Sequence, residues 1–182
     1  MRLSKISVLY SFSIIISFLL CLRHCGRTLM GVLTFTWMSI LIRIAFIDLA
    51  TLKIPDRWNL ALLLTGLISV PLRPDILPAD RIAGVLAVSL PMLLMDFLIP
   101  GGFGGGDIKL MAAAGLFLGW KGILLAGCLS VGAAGIYGMF LLITEKAGKE
   151  DCFAFAPFLC AGLAVTALAG DRIIMWLQEI WL

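Results

Sequence analysis

Two aspartates stand where an apolar chain can least easily hold them. Asp107 follows the run Gly101-Gly102-Phe103-Gly104-Gly105-Gly106 and opens the apolar segment Ile108-Lys109-Leu110; Asp48 closes an earlier one. Carboxylates at the margins of membrane spans are costly, and paired acid/base catalysis is a reason to keep them. Two carboxyls within a few ångströms share a proton. One, ionised, takes a proton from water; the other, protonated, donates to the carbonyl under attack. The glycines would let Asp107 approach Asp48 and leave room beside their backbone for an extended substrate. A plainer reading also fits: a Gly-rich turn at a membrane surface, with an aspartate that caps a helix. A phosphate loop is disfavoured, because no Gly-Lys-Ser/Thr follows.

The elements that must position these groups are apolar. Of 182 residues, 62% are apolar and 14% charged, against roughly 25% charged in soluble domains. Mean hydropathy is +1.09. An all-α, polytopic membrane bundle is expected, with apolar segments at about 6–22, 29–49, 57–71, 80–99, 107–119, 121–143 and 152–169. Segments 107–119 and 121–143 read equally as two tilted helices or one re-entrant hairpin. Residues 171–182, with Trp176 and Trp181, read as an interfacial tail. No repeat or linker interrupts the chain, so 1–182 is expected to be a single integral-membrane domain. The first segment lacks a small-x-small cleavage site, and Leu20 is too large before Cys21 for a lipoprotein site, so it reads as an uncleaved span. Net charge is +3 with no basic–aromatic block, which gives no support for nucleic acid. The cysteines, Cys21, Cys25, Cys128, Cys152 and Cys160, are odd in number and form no CxxC pair. They read as apolar fillers or free thiols, not a metal site or a disulfide frame.

Span parity places the aspartates. Asp48 ends the second segment and Asp107 begins the fifth; two crossings separate them, so both face one side. Charge counting leaves the side nearly open. With the N-terminus inside, Arg2, Lys5, Lys53, Arg57, Lys109, Lys146 and Lys149 stand against Arg23, Arg27, Arg73, Arg81, Lys121 and Arg172. Asp56 reads as an N-cap after Ile54-Pro55. Asp96 could tune the pair, hold a polar network or simply reach the interface. Lys109 could orient Asp107 or the substrate backbone, or snorkel. Arg43 lies roughly 140° around an ideal helix from Asp48, so it is read as snorkelling rather than as a partner. His24, the only histidine, falls on the opposite face, which argues against serine and metallopeptidases. Gly127, Gly132, Ala133, Gly135 and Gly138 are expected to permit close helix contact.

Three ordered stretches carry a resemblance. Phe46-Ile47-Asp48 followed by Ile54-Pro55-Asp56 resembles the first catalytic motif of the type IV prepilin peptidases. Gly102 through Leu110, continuing to Gly115 and Gly119, resembles their second, and Phe155-Ala156-Pro157-Phe158-Leu159 a third. The resemblance covers roughly residues 10–182. It implies an aspartic endopeptidase of the GxGD class, needing no metal or organic cofactor. Its active site would face the cytoplasm in a bacterial-type inner membrane. It would cut the short basic leader from type IV prepilins or pseudopilins, typically after a glycine. Asp48 and Asp107 take the catalytic positions; Gly102, Gly104, Gly105, Gly106, Lys109 and Pro157 form the loop or meet the substrate. The cut stretch would lie along Gly101 to Gly106, with Asp56, Glu145, Glu150 and Asp151 drawing in the leader and Lys146 and Lys149 opposing them. Many members also carry a cytoplasmic domain with paired CxxC motifs and methylate the new N-terminus. Here only Arg23 to Thr28 separates the first two segments, so cleavage without methylation is expected. A proton-coupled transporter, or a presenilin-like protease with other membrane substrates, remains the alternative.

Overall fold

The computed structural model describes residues 2–25, 28–99, 101–144 and 153–181, except for the side chains of 2–8, 24, 25 and 181. Arg27, Glu145, Lys146, Lys149, Glu150, Asp151 and Cys152, and the side chains of Arg2, Lys5, His24, Cys25 and Trp181, lie outside the described residues. The elements are α1 (Arg2–Cys25), α2 (Leu29–Thr51), α3 (Asp56–Leu72), α4 (Pro78–Ala87), α5 (Ser89–Leu98), α6 (Gly105–Ile143) and α7 (Ala156–Trp181). Among the described residues, α2, Pro78–Leu98, α6 and Ala156–Ile180 are each long and apolar enough to cross a membrane. Large apolar side chains such as Phe97, Ile136 and Ile143 face outward, as lipid requires. This is a multi-pass helical membrane bundle.

Two breaks shape it. The first, at Val88, divides α4 from α5. Pro91 lies one turn on; it lacks an N–H for the Ala87 carbonyl, and its ring crowds that carbonyl. The second lies inside α6. A straight helix of 39 residues would run ~58 Å, nearly twice the ~30 Å hydrocarbon core. Gly119 breaks it with φ 72° and ψ 176°, a conformation open to glycine alone. The chain then doubles back: Gly127 faces the Met111 side chain, and these two positions are equally spaced about the break. Segments 107–119 and 121–143 are therefore an antiparallel helix pair. Residues 171–181 of the expected tail continue α7 without a break; Leu182 lies outside the described residues.

α6 is the hub, packed by α3, α4, α5 and α7. Trp37 of α2 stacks on Phe117 of α6, with centroids 4.6 Å apart and planes 14° from parallel. Helices also meet at glycine, only partly where the sequence suggested: of the expected positions Gly127 is buried, a Cβ there meeting Val88 at 3.4 Å. Gly132 and Gly135 have nothing within 4 Å of a notional Cβ, and Gly138 only Phe153 at 3.9 Å. The tight crossings are Gly84 against Gly115, backbone on backbone, and Gly162 against Ala126 and Ser130. Gly132 and Gly135 lie on the outer face of α6, where a small residue has no neighbour to admit. Gly115→Ala is expected to destabilise the protein by about 2–3 kcal/mol, since its Cβ would enter the Gly84 carbonyl and only a backbone shift can relieve that. Thermal unfolding in detergent measures this.

Arg81, placed by sequence among surface charges, is 2% exposed. Its guanidinium reaches from α4 to the ends of two other helices. It donates to Ser69 Oγ (3.0 Å), Leu116 O (2.8 Å) and Arg73 O (3.0 Å). One of them, Arg73 O, is the C-cap carbonyl of α3, which also accepts the Ile76 N–H at 3.3 Å.

Candidate active site

The site forms where α2 ends and α3, α6 and α7 begin. α2 stops because Leu52 turns to the left-handed conformation (φ 52°), its N–H closing on Asp48 O at 2.8 Å. Asp48 thus sits in the last turn, 6% exposed. The start of α7 meets it: Ala156 N–H donates to Asp48 Oδ2 at 3.1 Å. Pro157 follows in that first turn, where its missing N–H costs nothing. Free N–H groups and the positive end of the helix dipole suit a carboxylate.

Asp107 comes from the other direction. α6 begins at Gly105, two residues before the expected start, with Gly104 as its N-cap. Gly105 and Gly106 are therefore helical, and only the residues before them form loop. Asp107 occupies the third helical position, its Oδ2 turned back toward Gly104. A Cβ on Gly104 would lie 3.1 Å from Asp107 Oδ2. Asp107 Oδ1 is buried and has no hydrogen-bond partner among the described residues. Asp48 and Asp107 share one end of the bundle, as span parity required. They lie near enough to act on each other electrostatically, and the buried Cys160 thiol lies within the field of both.

The surrounding groups hold the loop. Asp96 Oδ1 accepts the N–H groups of Gly101 (3.2 Å) and Phe103 (3.3 Å), which gives Asp96 the polar-network role among those considered. Gly101 has φ 84°, and Gly102 is exposed in the same turn. Phe103 packs on Phe155 with centroids 6.0 Å apart. Asp56 is not the N-cap of α3; Pro55 is, and Asp56 is the first helical residue. Its carboxylate pairs with Lys109 Nζ at 2.8 Å. The exposed pair turns Lys109 toward α3 rather than toward Asp107. Arg43 packs over the Tyr10 and Trp58 rings at 5.4 and 5.7 Å, a cation–π arrangement, and it does not pair with Asp48.

Two contributors escaped the sequence reading. One is the Ala156 N–H, a backbone group without a residue signature. The other is Asn59, whose Nδ2 donates to Gly106 O at 3.1 Å. On the Phe46 and Pro157 side of Asp48, an apolar cleft of about 210 Å³ runs between α1, α2 and α7, lined also by Ser13, Ala45, Cys160 and Ala164; neither aspartate lines it.

The glycines are not equivalent. A Cβ on Gly105 meets nothing within 4 Å, whereas one on Gly106 would stand 2.9 Å from Ile54 Cβ. Gly105→Ala is expected to leave activity intact. Gly106→Ala should push the start of α6 away from Ile54, in the connection between α2 and α3, and slow turnover by about 10–100-fold. Specific activity of the two purified variants on a model prepilin compares them.

A multi-pass helical membrane protein with two acidic side chains gathered at one end of the bundle is the class that fold and site define. Comparison with known proteins narrows it. The type IV leader peptidase family matches residues 33–139, more than half of the chain and including both aspartates. The chain belongs to that family. It is similar to the prepilin leader peptidase/N-methyltransferase of Aeromonas salmonicida (strain A449), 31% identical over 156 residues, covering 83% of this chain and 53% of the relative. It is also similar to the proteins so named from Legionella pneumophila, 30% identical over 164 residues (87% and 57%), and Bacillus subtilis (strain 168), 35% identical over 142 residues (76% and 56%). The chain spans little more than half the length of these curated relatives. No solved structure matches it significantly.

Proposed function

We propose that residues 1–182 form a single peptidase domain that removes the basic leader from type IV prepilins or pseudopilins, with Asp48 and Asp107 as the catalytic pair. The observation that supports this reading is that these carboxyls, at the end of α2 and the start of α6, lie at one end of the bundle within electrostatic reach of each other, inside the stretch matched by the leader peptidase family. One activates water and the other protonates the scissile carbonyl or leaving amine. Asp96 and the glycine turn hold an extended segment in front of them. The apolar cleft beside Asp48 receives the first turns of the substrate's apolar helix. The leader stays in the cytoplasm, so the site faces the cytoplasmic side of the inner membrane. Cleavage, not methyl transfer, is the activity assigned to these residues, which carry no CxxC pair.

The test is purified protein in detergent or vesicles with a model prepilin, products read by mass spectrometry. A single cut at the end of the basic leader is expected, with no mass added to the new N-terminus when a methyl donor is present. No cut in any substrate bearing a basic leader and apolar helix would sink the reading.

A further inference from the structure

We propose that Asn59 is a positioning residue for Asp107, its amide holding the glycine turn from which that carboxyl projects; the inference rests on the peptidase reading above. Asn59 lies on the buried stripe of α3, with Leu62, Thr65, Gly66 and Ser69. It is 5% exposed. Nδ2 donates to Gly106 O at 3.1 Å, immediately before Asp107. Oδ1 is buried without a hydrogen-bond partner among the described residues.

The need for such a tie follows from the sequence. Gly104, Gly105 and Gly106 form the cap and opening of α6, and glycine is the residue with most backbone freedom to lose there. A side chain at 106 cannot stiffen the turn, because Ile54 Cβ occupies its place. Lys109 and Asp56 bridge the same two helices, but both are largely exposed, and exposed pairs hold geometry weakly. Asn59 supplies the buried link. Stability alone argues against asparagine at this position. A half-satisfied amide in an apolar interior is unfavourable, and an apolar side chain of the same size would avoid that. What asparagine adds is a fixed position for the Gly106 carbonyl, and so for the carboxyl after it.

The experiment compares wild type, Asn59→Leu, Asn59→Ala and Thr65→Val as purified full chains, by kinetics on a model prepilin and by thermal unfolding. Thr65 is the control: it is buried on the same stripe, but its hydroxyl bonds only Leu62 O in its own helix (2.7 Å). Both Asn59 variants should lose about 10–100-fold in kcat, with KM and the Thr65→Val kcat unchanged within about twofold. Asn59→Leu should unfold no earlier than wild type. Lower activity without lower stability separates positioning from support of the fold. Undiminished kcat in the Asn59 variants overturns this inference alone. So does Asn59→Leu unfolding earlier while its folded fraction keeps wild-type kcat. Absence of cleavage by the wild type overturns the peptidase reading and this inference with it.

Discussion

Replacing either Asp48 or Asp107 by Asn is expected to slow prepilin cleavage by ~1,000-fold or more while leaving the protein in the membrane at normal levels. The substitution keeps size and removes the exchangeable proton chemistry. At position 48 an amide oxygen can still accept the Ala156 N–H that now meets Oδ2, so α2 and α7 stay joined. The double variant should be no slower than the worse single one, because two groups that act as a unit fail as a unit. Rates per mole of membrane-inserted protein decide this. Full activity in either single variant would remove that residue from the mechanism. The neighbouring acids are poor substitutes: Asp96 Oδ1 is committed to the Gly101 and Phe103 N–H groups, and Asp56 to Lys109.

Arg81→Ala should cost about 3–5 kcal/mol of stability, beyond the ordinary range for one side chain. Its guanidinium serves Ser69, Arg73 and Leu116 at once. Each buried acceptor left unpaired costs ~1–3 kcal/mol. Arg81→Met would restore much of the volume and little of the stability. Arg81→Lys should fall between, because one ammonium cannot reproduce a planar fork spanning two helices. Thermal unfolding of the purified variants ranks them. A loss under ~1 kcal/mol for Arg81→Ala would mean that water reaches these carbonyls and that the crossing of α3, α4 and α6 rests on packing alone.

Much of this was legible in the sequence because membranes simplify the reading. Every backbone polar group in lipid must be bonded within the segment, so apolar length alone predicted the seven helical stretches. Crossing parity then put Asp48 and Asp107 at one end. The errors have physical causes. The start of α6 moved to Gly105 because glycine can be helical although its propensity argues against it; the Asn59 bond to Gly106 O is a contact from another helix that propensity cannot see. Asp56 looked like a cap because aspartate favours that place; Pro55 took it, and a lysine from another helix took the carboxylate. Gly132, Gly135 and Gly138 looked, like the buried Gly127, to be part of a contact face because small residues usually permit close crossings. Which small residues are used depends on the facing helix, and no single-helix pattern names the partner. Asn59 did leave a trace: it, Thr65 and Ser69 put polar atoms on one stripe of an otherwise apolar α3.

The backbone contact between Gly84 and Gly115 also has a mechanical meaning. It is a fulcrum. From it the first arm of α6 extends little more than two turns, ~12 Å, to Asp107, an end tied to α3 through Asn59 and Lys109. A lever so short sweeps a small arc. A tilt about that fulcrum would therefore displace the Asp107 end by little.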